Sequence, residues 1–423
     1  MQNKLLFITF DNIRDEDDPE ISLGIASIFA YLKNDAQINN RWNIEHKSVN
    51  IFNVFKSKHY LDYLDNEIRE LNLSAYKIIA VSAYIWHEYL TNDFLTLLRK
   101  KGFRGKIILG GYQIAESSLS DYKKRYPNAD IFVEGYAEQA IKEILLGKTS
   151  EKLLNIPVNF AEIPPIYSNE TVEVRQNIPM IRLETKRGCP FRCSFCRFMG
   201  NVEKGFKNLN CENIFREIDF LTAKNVQKIN VVDPIFNVGD KYLSVMEHIY
   251  SAISKNRADT IFDFQCRLEF LLNSDGERFL ELCADRHKLE FGIQTINSTV
   301  AENIGRKNDI DKIKKAFEML TKYNVKYEVS IMYGLPGQTL DIFRETITFL
   351  KDFGCSTIKA FPLNLYCGTK LFTEKDKWDM TEELNEYGIS EVRSSSSFSV
   401  EEWLEMDNIA KSINLPYYYL NSA

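Results

Sequence analysis

Residues 186–198 read KRGCPFRCSFCRF, which sets Cys189, Cys193 and Cys196 at CxxxCxxC spacing directly after an apolar run, Ile181 to Thr185, that reads as a strand. Thiolates are soft ligands suited to iron-sulfur clusters, and a loop this compact can wrap three of them around one cubane, leaving one iron without a protein ligand. A structural zinc needs four ligands, usually two spaced pairs, and neither the other cysteines nor the five histidines supply a second pair. Free buried thiols are the remaining reading, but a stretch interrupted by Gly188, Pro190 and arginines is poor core material. The segment is therefore expected to hold a four-iron, four-sulfur cluster on Cys189, Cys193 and Cys196.

Outward from this loop toward the carboxyl terminus, strands are expected at Ile181 to Thr185, Lys228 to Val232, Ile261 to Gln265, Glu290 to Gln294, Tyr327 to Met332 and Thr357 to Ala360, with helices between. Six consecutive βα units predict a partial (β/α)6 barrel of the TIM type, whose functional residues gather at the carboxyl ends of the strands. Residues 373–423 read as a mixed α/β extension with a helix near Val400 to Ile413, and Ser394 to Ser397 as a loop. In the other direction, short β-rich runs at Leu5 to Phe10, Ile44 to Phe52, Ile78 to Ala83, Lys106 to Leu109 and Ile131 to Val133 alternate with helical stretches. That order predicts a doubly wound, Rossmann-like parallel sheet with its ligand crevice at the strands' carboxyl ends. Gly110-Gly111 and Gly135 stand at such ends, where the backbone can approach a ligand or simply turn. Residues 146–179, with Pro157, Pro164, Pro165 and Pro179, read as a linker. The expected domains are thus 1–145, 180–372 and 373–423, with 146–179 joining the first two.

Composition narrows the function. Hydrophobic residues at 44% and charged ones at 26% are the balance of a globular enzyme. The net charge is −6 and the lysines and arginines are scattered, so no nucleic-acid partner is expected. No stretch approaches 18 apolar residues, which argues against a membrane span. MQNKLLFITFDN reads as a first strand and not as a signal peptide, so the expected address is the cytoplasm. Eight cysteines are too sparse for a disulfide scaffold and agree with a reducing compartment.

With these motifs in order, residues 180–372 resemble the radical S-adenosylmethionine (SAM) superfamily. The resemblance implies a cluster whose open iron chelates SAM, and electron transfer that cleaves SAM to a 5'-deoxyadenosyl radical. Phe195 matches the family's aromatic beside the adenine. NVVDPIFN puts Asp233 and Asn237 where the family contacts the SAM amino group, in place of its commoner Gly-Gly-Glu. FQCRLEF supplies Gln265, Arg267 and Glu269, which alternation sends to one face as ligand contacts or a salt bridge. FGIQTIN and IGRKN offer Gln294, Thr295 and Arg306 for the ribose and carboxylate, and MYGLPGQT offers Gly334 and Gly337, whose backbone approaches the adenine.

SLGIASIFAYLKN, ILGGYQI and ADIFVEGYAEQAI, spread over residues 1–145, resemble the cobalamin-binding subfamily and make cobalamin a candidate cofactor. The loop FDNIRDEDDPEI carries no histidine to ligate cobalt, and His46, His59 and His87 are expected at the surface or in packing. Tyr136 stands where the family commonly shows glutamate, leaving Glu138. LNLYCGTKLF carries Cys367 where relatives commonly have proline. A thiol facing the radical can return a hydrogen to a planar α-carbon from the opposite face, and this pattern resembles the proteusin-type peptide epimerases. The main expectation is therefore an epimerase that converts L to D residues in a ribosomally made precursor with a leader, drawing electrons from a flavodoxin- or ferredoxin-type reductant, with Cys367 as hydrogen donor. The alternative is a cobalamin-dependent radical SAM methyltransferase acting on a peptide or small metabolite, and the third reading is a non-enzymatic carrier. Cys355, before the sixth strand, and Cys211, Cys266 and Cys283 are expected to pack.

Overall fold

The computed structural model describes residues 2–420 apart from 14–17, 19–20, 57–58, 116, 200–204, 285 and 386–387. Contacts divide the chain into two units, one formed by Met1–Arg182 with Glu212–Gln227, the other by Leu183–Cys211 with Lys228–Ala423.

In the first unit, β1 (Asn3–Asp11), β2 (Trp42–Asn50), β3 (Ile78–Ser82), β4 (Lys106–Gly110), β5 (Ile131–Val133) and β6 (Leu153–Leu154) form one parallel sheet in the order β2-β1-β3-β4-β5-β6. Both faces are apolar because both are covered by helices. Leu6, Ile8 and Phe10 join a core with Leu64, Ile68, Leu90 and Phe94, while Leu5 and Phe7 join another with Ile28, Phe29, Leu32 and Ile141. The strand order turns back between β1 and β3, and their carboxyl ends therefore open the ligand crevice of a doubly wound sheet. The stretch read as a linker is built into this unit. It supplies β6 and buries Ile163, Ile166, Tyr167 and Val174, and the Tyr167 hydroxyl donates to the Arg182 carbonyl at 2.8 Å. Its prolines end elements without keeping neighbouring apolar side chains from the core.

β7 (Met180–Leu183), whose last residue is the first of the second unit, leads into a hairpin of β8 (Lys186–Cys189) and β9 (Gly205–Asn208). Then follow β10 (Lys228–Val231), β11 (Ile261–Cys266), β12 (Lys288–Gln294), β13 (Lys326–Tyr333) and β14 (Ile358–Pro362). The sheet order is β14-β13-β12-β11-β10-β7, the open parallel array of the expected partial barrel. Phe262, Phe264, Leu289, Phe291, Val329 and Ile331 bury on one face of it. Alternation sends a row of charges to the other. Asp263 pairs with Lys228 at 2.7 Å, and Glu328 takes both Lys288 and Lys359. Burial beside Glu328 pushes the Glu290 carboxyl upward. Beyond β14 lie the hairpin Thr381–Leu384 with Ser390–Ser394 and a helix, Val400–Leu420, longer than the sequence suggests.

Each unit buries one histidine outright. His87 packs on Phe10 with ring centroids 4.7 Å apart, and the His287 Nδ1 accepts the Phe262 N–H at 3.2 Å, which only a neutral ring can do. Burial pulls both down to about 3, from 6.5. The unfolded chain takes up these protons and the folded one does not, so stability is lost as pH falls from about 6.5 toward 3. Between pH 7 and 5 the loss is about 2 kcal/mol per histidine. Urea unfolding at the two pH values checks this, and replacing His87 with glutamine should remove its share; an unchanged pH slope in that variant contradicts the assignment.

Candidate functional site

The cysteine loop is held from three sides before any ligand is considered. On the entering side, the buried Asp233 carboxylate accepts the N–H groups of Thr185 at 2.7 Å and Lys186 at 3.2 Å, and the Thr185 hydroxyl. Lys186 is only 2% exposed and donates its ammonium to the carbonyls of Phe236 at 2.7 Å and Val238 at 2.8 Å, between the rings of Phe206 and Phe236. Burial pushes Asp233 up and Lys186 down, and each charge opposes the other's shift. Gly188 takes φ +92°, and a Cβ there would stand 2.6 Å from the Gly205 carbonyl, so the hairpin can close only on glycine. On the far side, the Ser194 N–H donates to the Ile304 carbonyl at 2.8 Å, and the Ser194 carbonyl accepts from Leu371 N at 2.9 Å.

The thiols themselves lie in one loop, with Cys193 buried and Cys189 and Cys196 partly so. Burial pushes the Cys196 thiol up to about 11, with Cys193 and Cys189 adding to the shift. Burial also raises Cys189, against the pull of Arg267 and Arg306. Arg306 directs Nη1 at the Cys193 sulfur, 3.8 Å away, and Nη2 at the Gly292 carbonyl. Arg267 is buried, pairs with Glu269 and lies 4.3 Å from the Phe191 ring centre. Burial would raise the Glu269 carboxyl, but the hydrogen bond and charge of Arg267 bring it below its ordinary value. Soft sulfur donors in a loop flanked by two guanidiniums suit an anionic iron-sulfur cluster.

The other expected contacts divide. Gln294 sits at φ +70° on a bulge where β12 slips against β13, a conformation that costs of order 1–3 kcal/mol for a residue other than glycine and that gathers at functional sites. Phe195 is partly buried within the loop. Asp233, expected to meet SAM, spends its oxygens on Thr185 and Lys186, because the loop's entering strand needs an acceptor there. Asn237 clasps the Arg267 backbone in both directions at 2.9 Å. The expected trio does not share a strand, since β11 ends at Cys266 and Glu269 lies in the 3-10 turn Leu268–Leu272, and it is not uniformly buried. Gln265 is exposed, while Arg267 and Glu269 realise the salt-bridge option. Thr295 is wholly buried, its hydroxyl accepting the Asn297 N–H at 3.2 Å. Gly334, at φ +80°, faces Trp403 and Phe398 of the carboxyl-terminal segment.

Cys367 is exposed, on the turn between β14 and the short helix Lys370–Thr373 that binds Ser194. Its neighbours Tyr366 and Gly368 approach Cys196 and Arg197 of the cluster loop. Cys266, Cys283 and Cys355 are buried as expected and Cys211 partly so. The sequence reading missed Lys186 and the charged row of the barrel. The signal was there in the single charge inside each otherwise apolar strand, FDF, LEF, YEV and IKA.

In the first unit, the ends of β3 and β4 come together through backbone alone. Ala83 N–H donates to the Gly110 carbonyl at 2.7 Å, and Gly111 takes φ +113° with its absent Cβ 2.6 Å from the Ala83 carbonyl. Beside them the Ser82 hydroxyl oxygen is buried without a hydrogen-bond partner, and Tyr84 stacks on Trp86 at 4.7 Å, the latter 42% exposed. His46 binds the Thr9 hydroxyl at 2.8 Å and His59 is exposed.

Residues 183–350 match the family model of the Radical SAM superfamily, which implies a four-iron, four-sulfur cluster and SAM. The chain is 22% identical over 317 residues to the 2-(S-pantetheinyl)-carbapenam-3-carboxylate methyltransferase of Streptantibioticus cattleyicolor, covering 66% of this chain and 45% of that protein. It is 20% identical over 356 residues to the cobalamin-dependent radical SAM methyltransferase TokK of Streptomyces tokunonensis, covering 74% and 50%. The chain thus spans about half the length of these curated relatives. Among solved structures, the cobalamin-dependent SAM radical enzyme OxsB, with aqua-cobalamin and SAM bound, is similar with a TM-score of 0.72 at 14% identity, covering 98% of this chain and 67% of that one. The radical SAM methyltransferase TsrM of Kitasatospora setae is similar with a TM-score of 0.67 at 12% identity, covering 91% and 79%. These likenesses establish the α/β fold with its two parallel sheets. Among the described residues, no helix is long and apolar enough to cross a membrane.

Proposed function

We infer that this chain is a radical SAM enzyme, and that its reaction is cobalamin-dependent methyl transfer to a peptide or small metabolite. The observation that carries the reading is the joint occurrence, in one chain, of a pinned three-cysteine loop at the first strand of a partial barrel and a doubly wound sheet whose strand order turns back between β1 and β3. The two relatives named above, matched over 66% and 74% of this chain, are methyltransferases, so the reading favoured from Cys367, peptide epimerisation, becomes the second one. The first unit fits cobalamin in kind. The Ser82 oxygen is an unused polar atom at the end of β3, and the Tyr84–Trp86 pair beside it offers a flat apolar face.

When bound, the cluster and SAM supply a 5'-deoxyadenosyl radical and cobalamin supplies a methyl group. Cys189, Cys193 and Cys196 would hold three irons, the Thr185–Asp233–Lys186 clamp fixes where the loop starts, and the Gln294 bulge ends β12 beside Gly292 and Arg306. A flavodoxin- or ferredoxin-type protein is the proposed electron source. The exposed thiol of Cys367 is what sustains the epimerase reading.

Anaerobic reconstitution, followed by reaction of candidate peptides and metabolites in deuterium oxide with and without methylcobalamin, separates the two. Methyl transfer predicts stoichiometric bound cobalt, a mass gain of one methyl group and no product without cobalamin. Deuterium at an α-carbon with no cobalt requirement, lost in Cys367→Ala while SAM cleavage persists, would put the epimerase in its place.

A further inference from the structure

We propose that Arg306 sets the reduction potential of the iron-sulfur cluster by directing a guanidinium N–H at the Cys193 sulfur, which makes it a positioning residue for electron entry as well as a candidate SAM contact. The proposal rests on the radical SAM reading above.

Arg306 Nη1 lies 3.8 Å from the Cys193 sulfur, within reach of an N–H···S hydrogen bond. Its orientation is fixed at the other tine of the fork, where Nη2 donates to the Gly292 carbonyl. The turn that carries it is docked on the cysteine loop through backbone. Ser194 N–H binds the Ile304 carbonyl, and Gly305, at φ +65°, brings its Cα so close that a Cβ would stand 2.9 Å from the Arg192 carbonyl. The backbone segments that carry Cys193 and Arg306 are therefore held against each other at two adjacent points.

The two arginines of the site differ in a way that matters. Arg267 is neutralised by Glu269. Among the described residues, no carboxylate lies within ion-pair distance of Arg306, and its Nε is buried without a hydrogen-bond partner. A desolvated cation beside a thiol, which Glu269 reaches only through space, is costly unless an anion completes it. Three thiolates on a cubane provide one, and the anion gains a further negative charge when one electron enters. A fixed positive charge and an N–H on the ligand sulfur both favour that reduced form, and these are the terms that set cluster potentials. Arg306 is predicted to raise the potential, so that a weak biological reductant can load the electron that SAM then receives.

The test is made on the reconstituted holoenzyme without SAM, where a role confined to the SAM carboxylate has no effect. Potentiometric electron paramagnetic resonance is compared for wild type, Arg306→Gln and Arg306→Lys at equal iron and sulfide content. The glutamine variant should show at least a tenfold lower ratio of reduced to oxidised cluster at fixed poise, 59 mV for a one-electron couple. The lysine variant, which keeps a charge without the fork, should fall between. An unchanged midpoint in the glutamine variant overturns the proposal. If that variant does not retain iron, the lysine variant decides alone, and its equality with wild type overturns the proposal too. A wild type that takes up no cluster would instead remove the radical SAM reading itself.

Discussion

Cys196→Ala will come out of anaerobic reconstitution without cluster absorbance and will release no 5'-deoxyadenosine from SAM under strong reductant. Each thiolate of a cubane serves its own iron, so removing one opens a second iron to solvent and takes away a covalent anchor. Losing an outer-shell partner of a metal ligand already costs 10–100-fold in affinity or activity, so loss of the ligand itself should exceed about 100-fold. The polypeptide around it should stay folded. The loop's backbone is tied to Asp233, Ile304 and Leu371 by bonds that do not involve the Cys196 side chain. Iron and sulfide content, the visible spectrum and a denaturation curve read these outcomes separately. Full SAM cleavage in this variant would remove the cluster assignment.

Asp233→Ala is expected to destabilise the second unit by about 3–5 kcal/mol, since each buried donor left without its acceptor costs about 1–3 kcal/mol and three donors are affected. Two N–H groups and one hydroxyl lose their acceptor, and the Lys186 ammonium, buried between two phenylalanine rings, loses its nearby counter-charge. Asp233→Asn keeps the shape and one acceptor while discarding the charge, and should fall between. Urea denaturation of the three proteins gives the comparison. An alanine variant within 1 kcal/mol of wild type would mean that solvent or a neighbour takes over the acceptor role, and the clamp would have to be abandoned. Because the clamp ends three residues before Cys189, the same variant should reconstitute its cluster poorly even where it folds.

Much of this arrangement was written in local pattern. The central strands of the first unit showed as apolar runs of the right length because parallel strands covered on both faces have no alternation to hide them. The cluster loop showed because three soft ligands in eight positions have few other uses. Arg267 and Glu269 were named from the sequence, but the strand ends at Cys266, so alternation did not place them, whereas the place of Cys367 followed from the strand before it. What did not show was partnership across distance. Lys186 looks like any lysine in the sequence, and only its meeting with the carbonyls of Phe236 and Val238 explains its burial. Asp233 was found at the right strand end but with the wrong partner, since nothing local says that Thr185 and Lys186 point their N–H groups at it. Two-residue β6 fell below any periodicity, and prolines around it suggested a tether where there is packed core. The choice between methyl transfer and epimerisation turns on what fills the first unit, and a single thiol on the second unit could not report on that.

The meeting of Gly111 with Ala83 has a consequence for how this protein can change. Where two strand ends touch through carbonyls and amides, there is no side chain to exchange, and substitution can only pry the strands apart. Natural drift or laboratory selection would then find this floor closed to tuning. New ligand preferences would have to be acquired from the residues standing above it, with Tyr84, Trp86 and Tyr112 the first positions to diversify in a library.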